Sequence, residues 1–159
     1  MSYDTLLYDV EDGVATITLN RPERHNSFNL KMAGELKDVW HAVETSADVV
    51  CAIVTGAGEK AFCTGMDVMD IAQGDVQSTG QVPREEAPWN HLTAIQNKCW
   101  KPVITAVNGM VVGGGLHFIA DSDLIVCAEH ATFFECFCSL DRLEPAPGRL
   151  VKRRGEVAR

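Results

Sequence analysis

The spacing of apolar residues divides the first part of the chain into strands and one long helix. Residues 6–10 and 13–19 alternate apolar and polar side chains on either side of "EDG", a turn sequence, and predict an antiparallel hairpin. Over residues 29–44 apolar side chains recur every three or four positions, which predicts an amphipathic helix. The nearly continuous apolar run "VVCAIVT", residues 49–55, is typical of a strand covered on both faces.

The following segments continue the alternation. Residues 73–88 are polar and contain two glycines and two prolines, so we expect a surface loop. A helix is predicted from about residue 85 or 89 to residue 99, because Pro102 disfavours helical geometry in the residue before it. "VITAVNG" predicts a buried strand, three glycines then open a short helix that ends near residue 121, and "DLIVCA" predicts another strand.

Composition and charge narrow the class of protein. The 159 residues are 46% hydrophobic and 23% charged, as in an ordinary soluble domain, and we interpret residues 1–159 as one α/β domain. The formal net charge of −8 would repel a polyanion, which argues against nucleic acid as a partner. The basic tail at about residues 149–159 is interpreted as solvated surface rather than a partner-binding face.

The sequence favours a cytoplasmic protein without a membrane segment, metal or cofactor. The start "MSYDTLLYDVED" has no basic and apolar signal region, so we expect the six cysteines to be free thiols. The longest apolar run, "GMVVGGGLHFIA", is interrupted by glycines and is too short to span a bilayer. One C-x-C pair at residues 136–138 and scattered histidines do not have the spacing of a metal site.

Two glycine-rich stretches are the candidates for chemistry, and neither is a nucleotide-binding loop. In "TGAGEKAF", Lys60 is followed by Ala61 where a Walker A loop requires serine or threonine. "NGMVVGGGLHF" lacks the G-x-G-x-x-G spacing of the dinucleotide fold. A nucleotide cofactor is therefore not predicted.

Each stretch instead follows a strand and leads into a helical start. Such starts present unpaired N–H groups and the positive end of the helix dipole. If the starts at residues 63–67 and 113–117 converge, they would form a preorganised site for a developing oxyanion. The spacing leaves a second interpretation equally open, in which the glycines only permit tight packing of strand against helix.

Three longer stretches, "GVATITLNRPERHNSFN", "VVCAIVTGAGEKAFCTGMD" and "KPVITAVNGMVVGGGLHFIADSDLIVCAEHATFFE", together resemble the crotonase (enoyl-CoA hydratase/isomerase) family. The resemblance implies a crotonase-like spiral of ββα units, here lacking most of the C-terminal helical region. It also implies an acyl-CoA ligand, lyase or isomerase chemistry of fatty acid metabolism through a thioester enolate, and a homo-oligomer, either a trimer or a hexamer. We expect apolar surface meant for the missing helices to be exposed, which favours self-association.

The resemblance also assigns site residues. It implies that the backbone N–H groups of Met66 and Gly114 hold the thioester oxygen. Residues Met66, Asp67, Val68 and Met69 would line the acyl-CoA channel, and the "RPERHNSFN" loop would lie near the CoA chain. Arg24, Lys60 and Lys101 are candidate cations for the CoA phosphates, although a solvated surface role remains open for each.

The sequence departs from the family at its two catalytic glutamates. His117 and Phe137 stand where hydratases of the family carry them, and phenylalanine can neither activate water nor deliver a proton. His117, in the first turn of a helix that disfavours its charged form, is either an acid/base group or a packed helix residue. Glu135 and Glu144 are nearby carboxylates, for which a structural role is favoured. A non-catalytic acyl-CoA-binding homologue, or a structural subunit that binds no CoA, therefore remain as alternatives.

Overall fold

A computed structural model describes residues 3–69 and 88–135, with the backbone alone at positions 88 and 89. Eight strands and two α-helices lie wholly within these residues. The strands are Leu6–Glu11 (β1), Val14–Leu19 (β2), Cys51–Gly56 (β3), Ala61–Cys63 (β4), Val103–Val107 (β5), Met110–Val112 (β6), Leu124–Cys127 (β7) and Phe133–Phe134 (β8). The helices are Leu30–Thr45 (α1) and Leu116–Ala120 (α2), and 3-10 turns cover Pro22–Arg24, Pro88–His91, Ile95–Asn97 and Gly113–Gly115.

The larger sheet has five strands in the order β1-β2-β3-β5-β7. Strands β1 and β2 form the predicted antiparallel hairpin, with Leu6 opposite Leu19 and Glu11 opposite Val14. Its tight turn uses Asp12 and Gly13, both at positive φ (50° and 82°), the backbone geometry that matches the twist of a two-residue hairpin. The remaining pairs of this sheet are parallel.

A smaller sheet, in the order β4-β6-β8, was not predicted. Its strands have only three, three and two residues, too few for an alternating pattern to be recognised in the sequence. Each of these short strands is the next strand along the chain after one of the larger sheet: β4 follows β3, β6 follows β5, and β8 follows β7. The chain therefore passes repeatedly from one sheet to the other, in agreement with the expected spiral.

Helix α1 confirms the predicted amphipathic helix and covers the larger sheet. Asn29 caps it, since the side chain of Asn29 accepts a hydrogen bond from the N–H of Met32 at 3.0 Å. Its buried face consists of Met32, Ala33, Leu36, Val39, Trp40 and Val43. The indole N–H of Trp40 donates to the carbonyl oxygen of Leu92 at 2.9 Å and so fastens the 88–99 segment to the helix.

The helix predicted over residues 85 or 89 to 99 is wrong for the described part. The structure has two separate 3-10 turns, Pro88–His91 and Ile95–Asn97. Polar side chains take backbone partners that a continuous helix would need: the Gln96 side-chain carbonyl accepts from the Leu92 N–H at 2.8 Å, and the Asn97 side-chain amide donates to the His91 carbonyl at 2.8 Å. Most of the predicted loop over residues 73–88 lies outside the described residues.

Strand β7 confirms the predicted "DLIVCA" strand but is exposed along its whole length. It forms one edge of the larger sheet and pairs with β5. Leu124, Ile125 and Val126 are 62%, 50% and 61% exposed. An apolar edge strand with free backbone groups is a surface on which other strands can pair.

Candidate active site

The loops that follow β4 and β6 meet backbone to backbone. Gly65 has φ +87°, and a Cβ built on it would lie 3.0 Å from the amide nitrogen of Gly114 and 3.0 Å from the carbonyl oxygen of Val112. A Cβ on Gly115 would overlap the carbonyl oxygen of Cys63. These contacts leave no room for a side chain at Gly65 or Gly115, so close packing of the two loops accounts for a glycine at each of these positions.

Met66 lies in a short extended segment that pairs with Phe28 as a parallel bridge. The N–H of Phe28 donates to the Gly65 carbonyl at 2.8 Å, and the N–H of Asp67 donates to the Phe28 carbonyl at 2.9 Å. Neighbouring residues of an extended chain direct their N–H groups to opposite sides. The Met66 N–H therefore points away from Phe28, and helical residues begin at position 68.

Gly114 lies in the 3-10 turn Gly113–Gly115, which runs directly into α2. The first N–H groups of a helix have no partner within it, so this turn presents donors. A Cβ on Gly114 would come within 2.7 Å of the ring atom Cζ of Phe28, which lies buried against the turn. Helix α2 is itself fixed to the sheet, because the buried Thr105 hydroxyl donates to the Phe118 carbonyl at 2.9 Å.

A buried ion pair lies beside the Met66 segment. Arg21 Nη2 and Asp67 Oδ2 are 2.9 Å apart, with the side chains only 12% and 5% exposed. The other guanidinium nitrogen of Arg21 donates to the Ser27 carbonyl at 2.7 Å, and Asp67 Oδ1 accepts from the N–H of Met69 at 3.1 Å. Burial alone would raise the pKa of Asp67, but the hydrogen bonds from Arg21 and Met69 and the charges of Arg21 and Arg24 outweigh it, so that pKa lies below its usual value.

A cleft of about 350 Å³ opens next to this ion pair. Its lining combines the loop after β2 with the segment around Met66. The lining residues are Glu23, Arg24, His25, Ser27, Thr64, Met66, Asp67 and Val68. Met66, Asp67 and Val68, which were predicted to line the acyl-CoA channel, all contribute to this cleft. Arg24, a predicted cation for the CoA phosphates, lines it as well.

Comparison with known proteins agrees with this architecture. The family model Enoyl-CoA hydratase/isomerase matches residues 9–153. The chain belongs to the enoyl-CoA hydratase/isomerase (crotonase) family.

Individual relatives support the assignment. (E)-benzylidenesuccinyl-CoA hydratase of Thauera aromatica is 38% identical over 126 residues, which are 79% of this chain and 47% of the relative. 1,2-Epoxyphenylacetyl-CoA isomerase of Escherichia coli (strain K12) is 38% identical over 147 residues, 90% of this chain and 55% of the relative. The crystal structure of an enoyl-CoA hydratase/isomerase from Mycobacterium paratuberculosis superposes with a TM-score of 0.69 at 38% identity, covering 85% of this chain and 49% of that one. This crotonase chain thus spans about half the length of its relatives, and the predicted crotonase fold is confirmed.

Other predicted site residues of this crotonase are placed as follows. Val68 and Met69 are 70% and 49% exposed, and Arg24 is also exposed. His117 is exposed on α2, three residues beyond Gly114, and lies outside the lining of the cleft. Their roles in the site stay predictions.

The remaining candidates differ in their surroundings. Lys60 is exposed, whereas Lys101 donates from Nζ to the Ser46 carbonyl at 2.5 Å. Glu135 is exposed just beyond β8, and Phe137 and Glu144 lie outside the described residues.

Three residues that organise the site were not singled out from the sequence. Arg21 and Phe28 bracket the Met66 segment through the ion pair and the backbone bridge. Asn26 is buried and left-handed (φ 55°), and its amide nitrogen donates to the carbonyls of Ala57 and Ala61 at 2.9 and 2.8 Å. All three lie in the polar stretch "RPERHNSFN". The sequence placed this stretch near the CoA chain but did not indicate which of its residues hold the site.

Cys63, next to the glycine contact, is not a nucleophile in this structure. Burial, only partly offset by a hydrogen bond from the Gly65 N–H, raises the pKa of its thiol to about 12. A thiol that stays protonated is chemically inert and packs as a small apolar side chain. The other described cysteines, Cys51, Cys99 and Cys127, are also free of disulfides.

The described residues give no sign of a metal centre or a membrane span. Within 3–69 and 88–135, no cluster of three or more His, Cys, Asp or Glu side chains is arranged to hold a metal ion. Over the same residues, no helix has the length and apolar character needed to cross a bilayer. The cytoplasmic location and the absence of a cofactor stay predictions.

Proposed function

We propose that this crotonase binds an acyl-CoA thioester and stabilises its enolate, with the N–H groups of Met66 and Gly114 as hydrogen-bond donors to the thioester oxygen. The observation that carries the proposal is the direct contact between the Gly65 and Gly114 backbones. Removal of a proton from the α-carbon moves negative charge onto the carbonyl oxygen. Two fixed amide donors aimed at that oxygen would stabilise the charge without reorganisation, at about a hundredfold or more in rate per donor.

The relatives support a CoA thioester as the substrate class. Their names specify CoA esters with different acyl parts, a benzylidenesuccinyl and an epoxyphenylacetyl group. The thioester is what these compounds share, and backbone N–H groups would recognise it regardless of the acyl chain. Met66 and Val68 line the cleft, and Arg24, an exposed residue of the same lining, provides positive charge for the CoA phosphates.

Proton transfer in this proposal falls to His117. It follows the glycine triplet by two positions and lies in the first turn of α2, three residues after Gly114. A neutral imidazole can accept the α-proton of a bound thioester and return it at another carbon. The buried carboxylate of Asp67 is already paired with Arg21, so its role is assigned to holding the site rather than to proton transfer.

An exchange experiment tests the proposal across a range of acyl groups. A panel of saturated and 2-enoyl CoA thioesters is incubated with the full chain in D₂O, and deuterium gain at the α-carbon and water addition are followed by mass spectrometry. We expect α-exchange for at least one thioester, and its loss in His117→Ala. Exchange that persists undiminished in His117→Ala would remove His117 from the proposal, and no exchange with any thioester would reject enolate chemistry.

A second candidate function is acyl-CoA binding without turnover. It is favoured by His117 and Phe137 at the places where the family resemblance implies glutamates, and by the engagement of Asp67 with Arg21. Isothermal titration with the same panel separates the candidates. Heat of binding without exchange would support the binding protein, and no heat with any thioester would indicate a structural subunit.

We also propose that the protein self-associates through β7. Val126 is 61% exposed on this edge strand, and a lysine there would place a charge where a second strand has to pair. We expect Val126→Lys to lower the average mass measured by sedimentation at high protein concentration. Val10→Lys, on the opposite edge strand β1, is the matched control and should leave the mass unchanged. A single mass for all three proteins would contradict the proposal.

A further inference from the structure

One guanidinium group connects both chains of the bridge that holds Met66. Arg21 Nη1 donates to the carbonyl of Ser27, the residue directly before Phe28. Arg21 Nη2 donates to the carboxylate of Asp67, the residue directly after Met66. The two distances are 2.7 and 2.9 Å, so a single planar side chain fixes the separation of the two segments.

Phe28 passes this constraint on to the second loop. Its backbone forms two hydrogen bonds with the Met66 segment, at 2.8 and 2.9 Å. Its ring lies against Gly114, where even a Cβ would approach within 2.7 Å of the ring atom Cζ. Arg21 is therefore connected to both donor residues. It is connected to Gly114 through Phe28, and to Met66 through Asp67.

We propose that Arg21 and Asp67 are positioning residues that fix the Met66 N–H relative to the Gly114 N–H. This inference rests on the proposed function. The Asp67 side chain is 5% and the Arg21 side chain 12% exposed, and each can act through the other without contact to the ligand. Because a misplacement of about 1 Å can cost about a hundredfold in rate, a site made of two backbone donors depends on what holds their separation.

The test uses variants that remove the ion pair in graded steps. Asp67→Asn keeps the shape of the side chain, Arg21→Met removes both donors, and Arg21→Lys keeps the charge but cannot span both acceptors. Lys31→Met is the control, since Lys31 pairs with Asp4 on the surface, where both side chains are more than half exposed. Denaturant unfolding identifies any variant that fails to fold, and Asp67→Asn provides the mildest change.

Amide hydrogen exchange reports on the positioning directly. We expect the N–H groups of Phe28 and Asp67, which make the two bridge hydrogen bonds, to exchange at least about tenfold faster in Arg21→Met and Asp67→Asn, with α1 amides unchanged. The rate of turnover or α-exchange should fall about 10- to 100-fold with little change in KM. The reaction rate of Arg21→Lys should lie between those of the unsubstituted chain and Arg21→Met. The double variant Arg21→Met/Asp67→Asn should react no more slowly than the slower single variant.

The outcomes separate this inference from the proposed function. Unchanged exchange at Phe28 and Asp67 would overturn the positioning role, as would faster exchange with an undiminished reaction rate. Equal losses in Lys31→Met would also overturn it, because they would show a general effect of charge. If the unsubstituted chain neither reacts with nor binds any acyl-CoA, the proposed function fails, and the hydrogen-exchange result still decides whether the ion pair fixes the Met66 segment.

Discussion

Gly114→Pro is expected to lower the rate of acyl-CoA turnover or α-exchange at least about a hundredfold relative to Gly114→Ala, because proline removes the N–H that would hold the thioester oxygen. Both substitutions add a Cβ at the same place, and only proline lacks the donor. Position 114 lies in the first turn before α2, where the fixed φ of proline is tolerated. The comparison therefore cancels the effect of the added Cβ and leaves the missing N–H and the proline ring as the difference between the two variants.

The control for this prediction follows from the buried Phe28 ring. An added Cβ at position 114 would come within 2.7 Å of the ring atom Cζ, so both variants are best made in a Phe28→Leu background. Leucine lacks the outer ring atoms and leaves the backbone bridge to Met66 in place. Rates are measured with the thioester that reacts best, and binding by titration. Equal rates for the alanine and proline variants would show that the Gly114 N–H is not a donor to the substrate.

The main elements of the fold could be predicted because their signals are local. The hairpin of β1 and β2 follows from alternation around "EDG", and α1 follows from its apolar period. The second sheet could not be predicted, since strands of two or three residues have no measurable period. The helix predicted to end at residue 99 was wrong because side chains such as Gln96 and Asn97 bind the backbone there, which hydropathy does not reveal.

The site shows the same division between local and distant signals. The two glycine turns after strands left open whether their helical starts converge, and the structure brings the Gly65 and Gly114 backbones together. The pairing of Arg21 with Asp67 joins residues 46 positions apart, which a single sequence cannot indicate. Asp67 was predicted to bind substrate. It lines the cleft together with Met66 and Val68, but its carboxylate is already bound to Arg21 and to the Met69 N–H.

Gly115→Ala is expected to destabilise the protein by about 3 kcal/mol, at the upper end of the range for overpacking, because its Cβ would overlap a backbone carbonyl that cannot rotate away. That carbonyl belongs to Cys63, so relief requires the loop after β4 to separate from α2. Gly34→Ala is the matched control: a Cβ there meets nothing within 4 Å, and alanine inside α1 should stabilise by up to about 1 kcal/mol.

Urea unfolding of both variants measures the change in the free energy of unfolding, which should fall for Gly115→Ala and rise for Gly34→Ala. If Gly115→Ala unfolds at the same urea concentration as the unsubstituted chain, the two loops are not in contact in solution. The reaction rate of folded Gly115→Ala adds a second measure, because separated loops would also part the Met66 and Gly114 amides. Gly115→Ala thus tests whether a glycine is needed for packing. The comparison of Gly114→Ala with Gly114→Pro tests whether an N–H is needed to bind the oxyanion. The two interpretations of the glycine triplet therefore concern different residues.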